Sequence, residues 1–230
     1  MEIEIRHAPS YALAIVALSA NETVVAEGGA MVSMDRHVQI QTAAGAQGGG
    51  ALAGLARGFK RMLAGETFFQ NRFTAKDSAG EVTFAPTHQG DIRVLELNQR
   101  SLMLQSSAFL CSGEGVAIDA KWGGARTFFG GEGLIMLRAT GSGPIVFNSF
   151  GAIHEVLVED EFIVDTGHIV AFEDSLTFRV SRFGGGWKSF FLGGEGLVCT
   201  FSGRGRLWLQ TRNTQSYGQL IGRQLPPRQS

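Results

Sequence analysis

The chain of 230 residues predicts an all-β protein built from three tandem β-units, on three observations. "FFGGEGLIML" from Phe128 and "FFLGGEGLVC" from Phe190 spell nearly the same phrase twice. Short apolar runs are separated by glycine-rich turns along most of the length, the text of strands rather than helices. Glycine stands at 32 of 230, about twice its ordinary share of roughly 7%, which favours tight turns and close backbone approach.

Taken from the N-terminus, "MEIEIRHAPSYALAIVAL" has no basic leader, and its apolar stretch from Tyr11 to Leu18 is too short for a signal or a membrane span. The phrase Glu22 to Ile40 then returns at Arg100 to Ile118, an offset of 78, and again at Asp160 to Phe178, a further 60. Ala30, Ala108 and His168 share one position under these offsets. So do Val38, Val116 and Leu176, and likewise Ile40, Ile118 and Phe178. Setting Phe128 on Phe190, an offset of 62, also carries Pro144 to Phe147 onto Arg206 to Leu209, with Gly141-Ser142-Gly143 falling on Gly203-Arg204-Gly205. Each copy reads as strand, glycine turn, strand, and predicts a β-hairpin. A weaker copy lies around Phe68-Phe69, the turn Ser78-Ala79-Gly80, Val82 and Phe84. Alternation at Val82 and Phe84, and the apolar run Leu134 to Leu137, support strands at these places.

The expectation is one domain over residues 1–220, with repeats at about 11–86, 92–149 and 153–212, and a C-terminal tail at 221–230 that frays from Gln219. A single unit of this kind cannot bury its own apolar face, so neighbouring units must stack. An open array also leaves a strand edge at each end, and a closed symmetric oligomer removes such edges. The Phe-Phe pairs are expected where successive units meet.

One segment interrupts the repeat. Residues 45–65 form a glycine-rich insert in which Leu52, Leu55, Phe59, Met62 and Leu63 follow helical spacing, with Arg57, Lys60 and Arg61 mostly toward the other side. Gly54 and Gly58 each weaken that helix by roughly 1 kcal/mol relative to Ala, so it needs a surface to pack on. That surface is a barrel end or oligomer centre in one reading, which the usual behaviour of amphipathic helices favours. In the other it is an anionic membrane or a protein partner. Leu52, Leu55, Arg57, Phe59, Lys60, Arg61 and Met62 are the candidate contact residues.

The composition excludes more than it assigns. Lys plus Arg is 20 against 21 Asp plus Glu, so no global field draws nucleic acid or anionic lipid. An RNA-reading ring needs a cation and an aromatic at the same place in each unit. Here the equivalent turn tips are Ala79, Ser142 and Arg204, which weighs against nucleic acid. The five histidines form no H-x-H or HExxH, and the two cysteines no CxxC, so no metal ligands and no cofactor are implied. His168 reads as a unit-interface residue in place of alanine, and Cys111 and Cys199 as buried free thiols. "SGEG" at Ser112 and "GGEG" at Gly130 and Gly193 run into strand text, whereas a phosphate loop requires a helix there; they read as turn or bulge glycines. Glu132 and Glu195 sit at equivalent positions, which repetition explains without catalysis.

The phrases "NETVVAEGGAMVSM", "GLARGFKRMLAGETFFQNRFTA", "FFGGEG" and "FFLGGEG" together resemble the altered-inheritance-of-mitochondria protein twenty-four family over roughly Met1 to Leu220. The resemblance implies a fold like the tryptophan RNA-binding attenuation protein (TRAP-like), a short relative of the double-stranded β-helix. It also implies a homotrimeric ring of nine pseudo-units. Eukaryotic relatives are associated with mitochondrial inner-membrane organisation, and no catalytic residues carry over. The expectation is a cytoplasmic, non-enzymatic scaffold or interaction module, peripheral to a membrane if the insert meets lipid. A cupin-like enzyme or small-molecule binder using clefts between units is the alternative.

Overall fold

In a computed structural model of the protein, the structure describes residues 1–43, 70–119, 128–129, 134–182 and 197–225. A leading strand, β1 (Glu2–Arg6), precedes the first unit, which comprises β2 (Leu13–Leu18), β3 (Thr23–Glu27), β4 (Met31–Met34), β5 (Val38–Ala43), β6 (Gln70–Ala75) and β7 (Gly80–Phe84). The second unit holds β8 (Ile92–Asn98), β9 (Leu102–Gln105), β10 (Phe109–Gly113), β11 (Val116–Asp119), the short β12 (Phe128–Phe129) and the fifteen-residue β13 (Leu134–Asn148). In the third are β14 (Ile153–Val158), β15 (Glu161–Asp165), β16 (Ile169–Glu173), β17 (Thr177–Arg182), β18 (Leu197–Ser202) and β19 (Gly205–Gln210). The protein is all-β apart from one terminal helix, α1 (Thr214–Gly222), and two single 3-10 turns among the described residues.

The three units share one pairing plan. The sixth strand lies between the first and third: β2 and β4 flank β7, β8 and β10 flank the second half of β13, and β14 and β16 flank β19. The fifth strand lies between the second and fourth, so β3 and β5 flank β6, β9 and β11 flank the first half of β13, and β15 and β17 flank β18. Every one of these pairs is antiparallel. Each third strand carries a register shift at the same point, between Met31 and Ser33, between Phe109 and Cys111, and between Ile169 and Ala171. Such a bulge bends the strand and turns an extra residue out of the ladder.

The expected hairpin is corrected by this plan. Fifth and sixth strands follow each other in the chain but do not pair: β6 and β7, and likewise β18 and β19, lie in different sheets, and in the second unit the two are successive halves of the continuous β13. The glycine turn is therefore a corner at which the chain exchanges one set of strand partners for another, as β13 passes from β11 to β8 between Gly141 and Ser142. Gly141 has φ +112°, and a Cβ there would sit 2.2 Å from the Gly115 carbonyl oxygen, so the corner needs a residue without a side chain.

Units join by one further strand pair. The second strand of one unit pairs with the third strand of the next, β3 with β10 and β9 with β16, again antiparallel. Three apolar clusters follow, each drawing on two units. Phe73, Val82 and Phe84 of the first unit pack with Leu110, Cys111 and Val146 of the second. Leu104, Phe109 and Phe147 of the second pack with Val170, Ala171 and Trp208 of the third. Met103 and Met136 reach from the second unit into the core of the third, beside Phe172 and Phe201. The predicted shelter of one unit by the next is thus present in the packing. Val38, Val116 and Leu176, aligned by offset alone, are all buried. Cys111 and Cys199 are buried free thiols, and burial pushes the Cys199 thiol up to about 12 and the Cys111 thiol higher still.

The C-terminal expectation also changes. Helix α1 continues past Gln219 to Gly222, started by the Asn213 side chain, which accepts from the backbone N–H groups of Gln215 (2.9 Å) and Ser216 (3.1 Å). None of its residues is buried, although the Tyr217 ring meets Phe150 edge-on at 5.3 Å.

Candidate functional site

The candidate contact residues of the insert, Leu52, Leu55, Arg57, Phe59, Lys60, Arg61 and Met62, lie outside the described residues, as do Glu132 and Glu195. Among the described residues no group of three or more His, Cys, Asp or Glu side chains converges as a metal site. No described helix is long and apolar enough to cross a membrane. The "SGEG" text is strand end and turn: Ser112 and Gly113 close β10, Glu114 and Gly115 turn, and β11 follows. His168 serves its own unit rather than an interface between units. Its Nδ1 donates to the Gln210 carbonyl at 2.7 Å, and the Gln210 side chain in turn donates to the Gly167 carbonyl.

A cleft of about 340 Å³ opens between the second and third units, lined by Glu96, Asn98, Arg100, Glu173, Arg206 and Trp208 among others. Its central charges already satisfy each other. Arg206 Nε and Nη2 donate to Glu173 Oε1 at 2.9 and 2.8 Å, the Arg206 backbone N–H donates to Glu173 Oε2, and the guanidinium lies over the Trp208 ring at 5.1 Å. The Trp208 indole N–H donates to Glu155 at 2.9 Å. The matching place in the second unit holds Gly113 against Pro144, with an added Cβ on Gly113 only 3.1 Å from Pro144 Cδ, so the cleft chemistry is not repeated there.

The two ends of the array carry the other candidate surface. β4 is the third strand of the first unit and β15 the second strand of the third unit, and among the described residues each lacks the neighbour that its counterparts possess. All four residues of β4 are exposed, whereas every residue of β10 is buried. On β15, Phe162 and Ile163 are exposed, whereas Leu102 and Met103 at the same positions of β9 are buried. Met31, Val32, Met34, Phe162 and Ile163 thus present apolar side chains on two bare edges, which soluble proteins ordinarily blunt with charge, proline or a covering element.

The profile of the family described as mitochondrial biogenesis AIM24 matches residues 3–212, which spans all three units and both edges. The chain belongs to the AIM24 family. An uncharacterized protein of Streptococcus pyogenes serotype M6 is 27% identical over 229 residues, covering 98% of this chain and 92% of that protein. The X-ray crystal structure of a Streptococcus pyogenes protein is similar at a TM-score of 0.80 and 26% identity, covering 97% of this chain and 99% of that one. The same architecture is therefore realised over the whole length of a second protein.

Within this AIM24 chain, sequence reading missed both edges as specific strands. The signal lay in the repeat alignment: β4 and β15 keep apolar residues where a covered strand would, yet neither pairs with a strand of another unit among the described residues. One titratable group also sits at a junction. Glu27 follows Ala26, which pairs with Cys111 across the first two units, and burial raises its carboxyl from the ordinary 4.5 to about 7. The unfolded chain ionises near 4.5 while the fold keeps its proton until about 7, so this group subtracts stability as pH rises through that window. Glu27→Gln is expected to flatten the decline and to gain about 1 kcal/mol at pH 8, allowing for partial solvent screening. Urea unfolding at pH 5 and pH 8 measures it, and an equal effect at both values would contradict the assignment.

Proposed function

We propose that this AIM24 protein is a non-enzymatic scaffold or interaction module that works as a homotrimeric ring, nine units in a closed TRAP-like array, with residues 45–65 as its contact to a membrane surface or protein partner. One observation carries the reading. Three units follow one pairing plan, and among the described residues the third strand of the first unit and the second strand of the third unit have no partner in a neighbouring unit. A head-to-tail contact of this kind closes into a ring when its rotation allows. The mutual engagement of Arg206 with Glu173 and of Trp208 with Glu155 supports a structural use of these polar side chains.

Multi-angle light scattering on the full chain tests the reading. A mass near three times 24.6 kDa is expected, and a monomer across micromolar concentrations would end the ring proposal. Flotation with anionic vesicles, with and without residues 51–63, reads the role of the insert; equal flotation would remove the membrane version and leave the protein-partner version. The inter-unit cleft favours a second reading, a small-molecule binder or cupin-like enzyme, and its size is within the range of ligand pockets.

A further inference from the structure

We infer that the outer edge of β8, with the cleft beside it, takes an extended acidic peptide of a partner protein, which lies antiparallel to β8 as β1 lies against β2. The inference names a partner chemistry for the interaction-module reading and rests on that reading for a protein occupant. The edge, the cleft and the charges all belong to one chain, so it does not depend on ring closure.

The first strands of the three units differ in one respect. β2 carries β1 along its outer edge, with Glu2 opposite Ala17, Ile3 opposite Val16 and Ile5 opposite Ala14. β8 and β14 pair with the sixth strand of their own unit and, among the described residues, with no strand on the other side. The bulge fixes which positions correspond. Ser33, Cys111 and Ala171 each follow it, opposite Thr83, Val146 and Trp208, and these in turn face Ile15, Val94 and Glu155 of the first strands. Val16 therefore corresponds to Leu95 and Leu18 to Leu97. Carried along the second and third strands from the junction pairs, the same comparison sets Glu22 on Arg100 and Gly113 on Glu173.

At the first junction β1 covers the edge. Met1, Ile3 and Ile5 pack against the cluster shared by the first two units, Val16 is fully buried, and the Met1 ammonium donates to Glu22. The corresponding space at the second junction is the cleft of about 340 Å³, lined by Leu95, Leu97, Arg100, Glu173 and Trp208 among others. Arg206 and Trp208 fill part of it, yet Leu95 is only half-buried where Val16 is covered. The charge is also reversed. Arg100 stands where Glu22 does, and both it and Arg93 at the opposite end of β8 are exposed and without an ion pair among the described residues. Glu173 is engaged by Arg206. An open edge beside an apolar floor takes an added strand, and alternation sets every second side chain of that strand over Leu97 and Leu95. Carboxylates at its two ends then meet the guanidinium groups of Arg100 and Arg93. Between the two apolar residues a cation belongs, opposite Glu96, at the place where β1 sets Glu2 opposite Ala17.

Fluorescence polarisation with the full chain and the labelled peptide acetyl-Gly-Glu-Leu-Lys-Ile-Thr-Glu-Gly-amide decides it. In the register of β1 its leucine lies opposite Leu97, its isoleucine opposite Leu95 and its second glutamate opposite Arg93, with the first glutamate toward Arg100. Saturable binding is expected. The same peptide with proline in place of isoleucine is expected to bind at least about tenfold more weakly, because proline brings no N–H to the ladder and its ring resists pairing. Arg100→Glu, at an exposed position, is expected to leave the circular dichroism unchanged and to weaken binding about fivefold or more, since an attraction becomes a repulsion. A peptide with lysine for the first glutamate is expected to recover binding to that variant. Absence of saturable binding, equal binding of the proline peptide, or unchanged binding of the parent peptide to Arg100→Glu would each overturn the inference. A ring by light scattering that ignores the peptide would overturn this inference and leave the ring reading standing. A monomer that binds the peptide with the expected dependence on Arg100 would uphold this inference and end the ring reading.

Discussion

Trp208→Ala is expected to lower the unfolding free energy by about 4 kcal/mol, within the range for deleting a large buried aromatic. Trp208 is fully buried, yet it sits on the sixth strand of the third unit while packing in the core of the second. Its ring meets Phe147 of the second unit at 5.7 Å and 66°. Truncation therefore opens a cavity that neither unit can close by itself, and it strips the Glu155 carboxylate of its indole donor. Trp208→Phe keeps most of the ring and loses the donor, and about 1 to 2 kcal/mol is the corresponding expectation. Urea unfolding of the two variants measures the difference. A cost below 1 kcal/mol for alanine would mean that the second and third units do not share a core.

The corner glycines give the second large effect. Gly141 and Gly143 both lie at positive φ, +112° and +127°, where any side chain adds strain of about 1 to 3 kcal/mol. They differ in what a Cβ would meet. At Gly143 the nearest atom is Val116 Cγ2 at 3.8 Å, an ordinary contact, whereas at Gly141 it is backbone oxygen at 2.2 Å. Gly141→Ala is thus expected to cost more than 3 kcal/mol or to prevent folding, and Gly143→Ala to cost the strain alone. Thermal unfolding monitored by circular dichroism ranks them, and equal costs would show that the backbone at Gly115 yields.

Much of this architecture was legible from spacing. The offsets that aligned Val38 with Val116 and Leu176 also align their burial, and the offset of 62 aligns the glycine corners at Gly141 and Gly203 with shared positive φ. The strand text at Val82 to Phe84 and at Pro144 to Phe147 lies in strands of the same rank. Two readings failed for a physical cause. Adjacent strands with a glycine turn between them read as a hairpin because local text cannot distinguish a reversal from a corner; both need positive φ. Gln219 onward read as a fraying tail, whereas the Asn213 cap that starts α1 is a single side chain that spacing does not announce.

The candidate surfaces divide the same way. Met31, Val32, Met34, Phe162 and Ile163 are ordinary strand residues in the text, and nothing in their immediate neighbours marks them as an edge. The cleft around Arg206 joins residues of β8, β16 and β19, far apart in the chain, and no spacing announces it.

The amino-acid order by itself determined how many units there are, which positions are equivalent and which of them turn inward, because apolar spacing and glycine placement act locally on backbone and burial. The partner of each strand, and hence the two strands left bare, was decided only by the tertiary structure. Backbone hydrogen bonds between strands are the same for every residue type. The choice among partners therefore comes from how bulges, corners and packed side chains fit together in three dimensions.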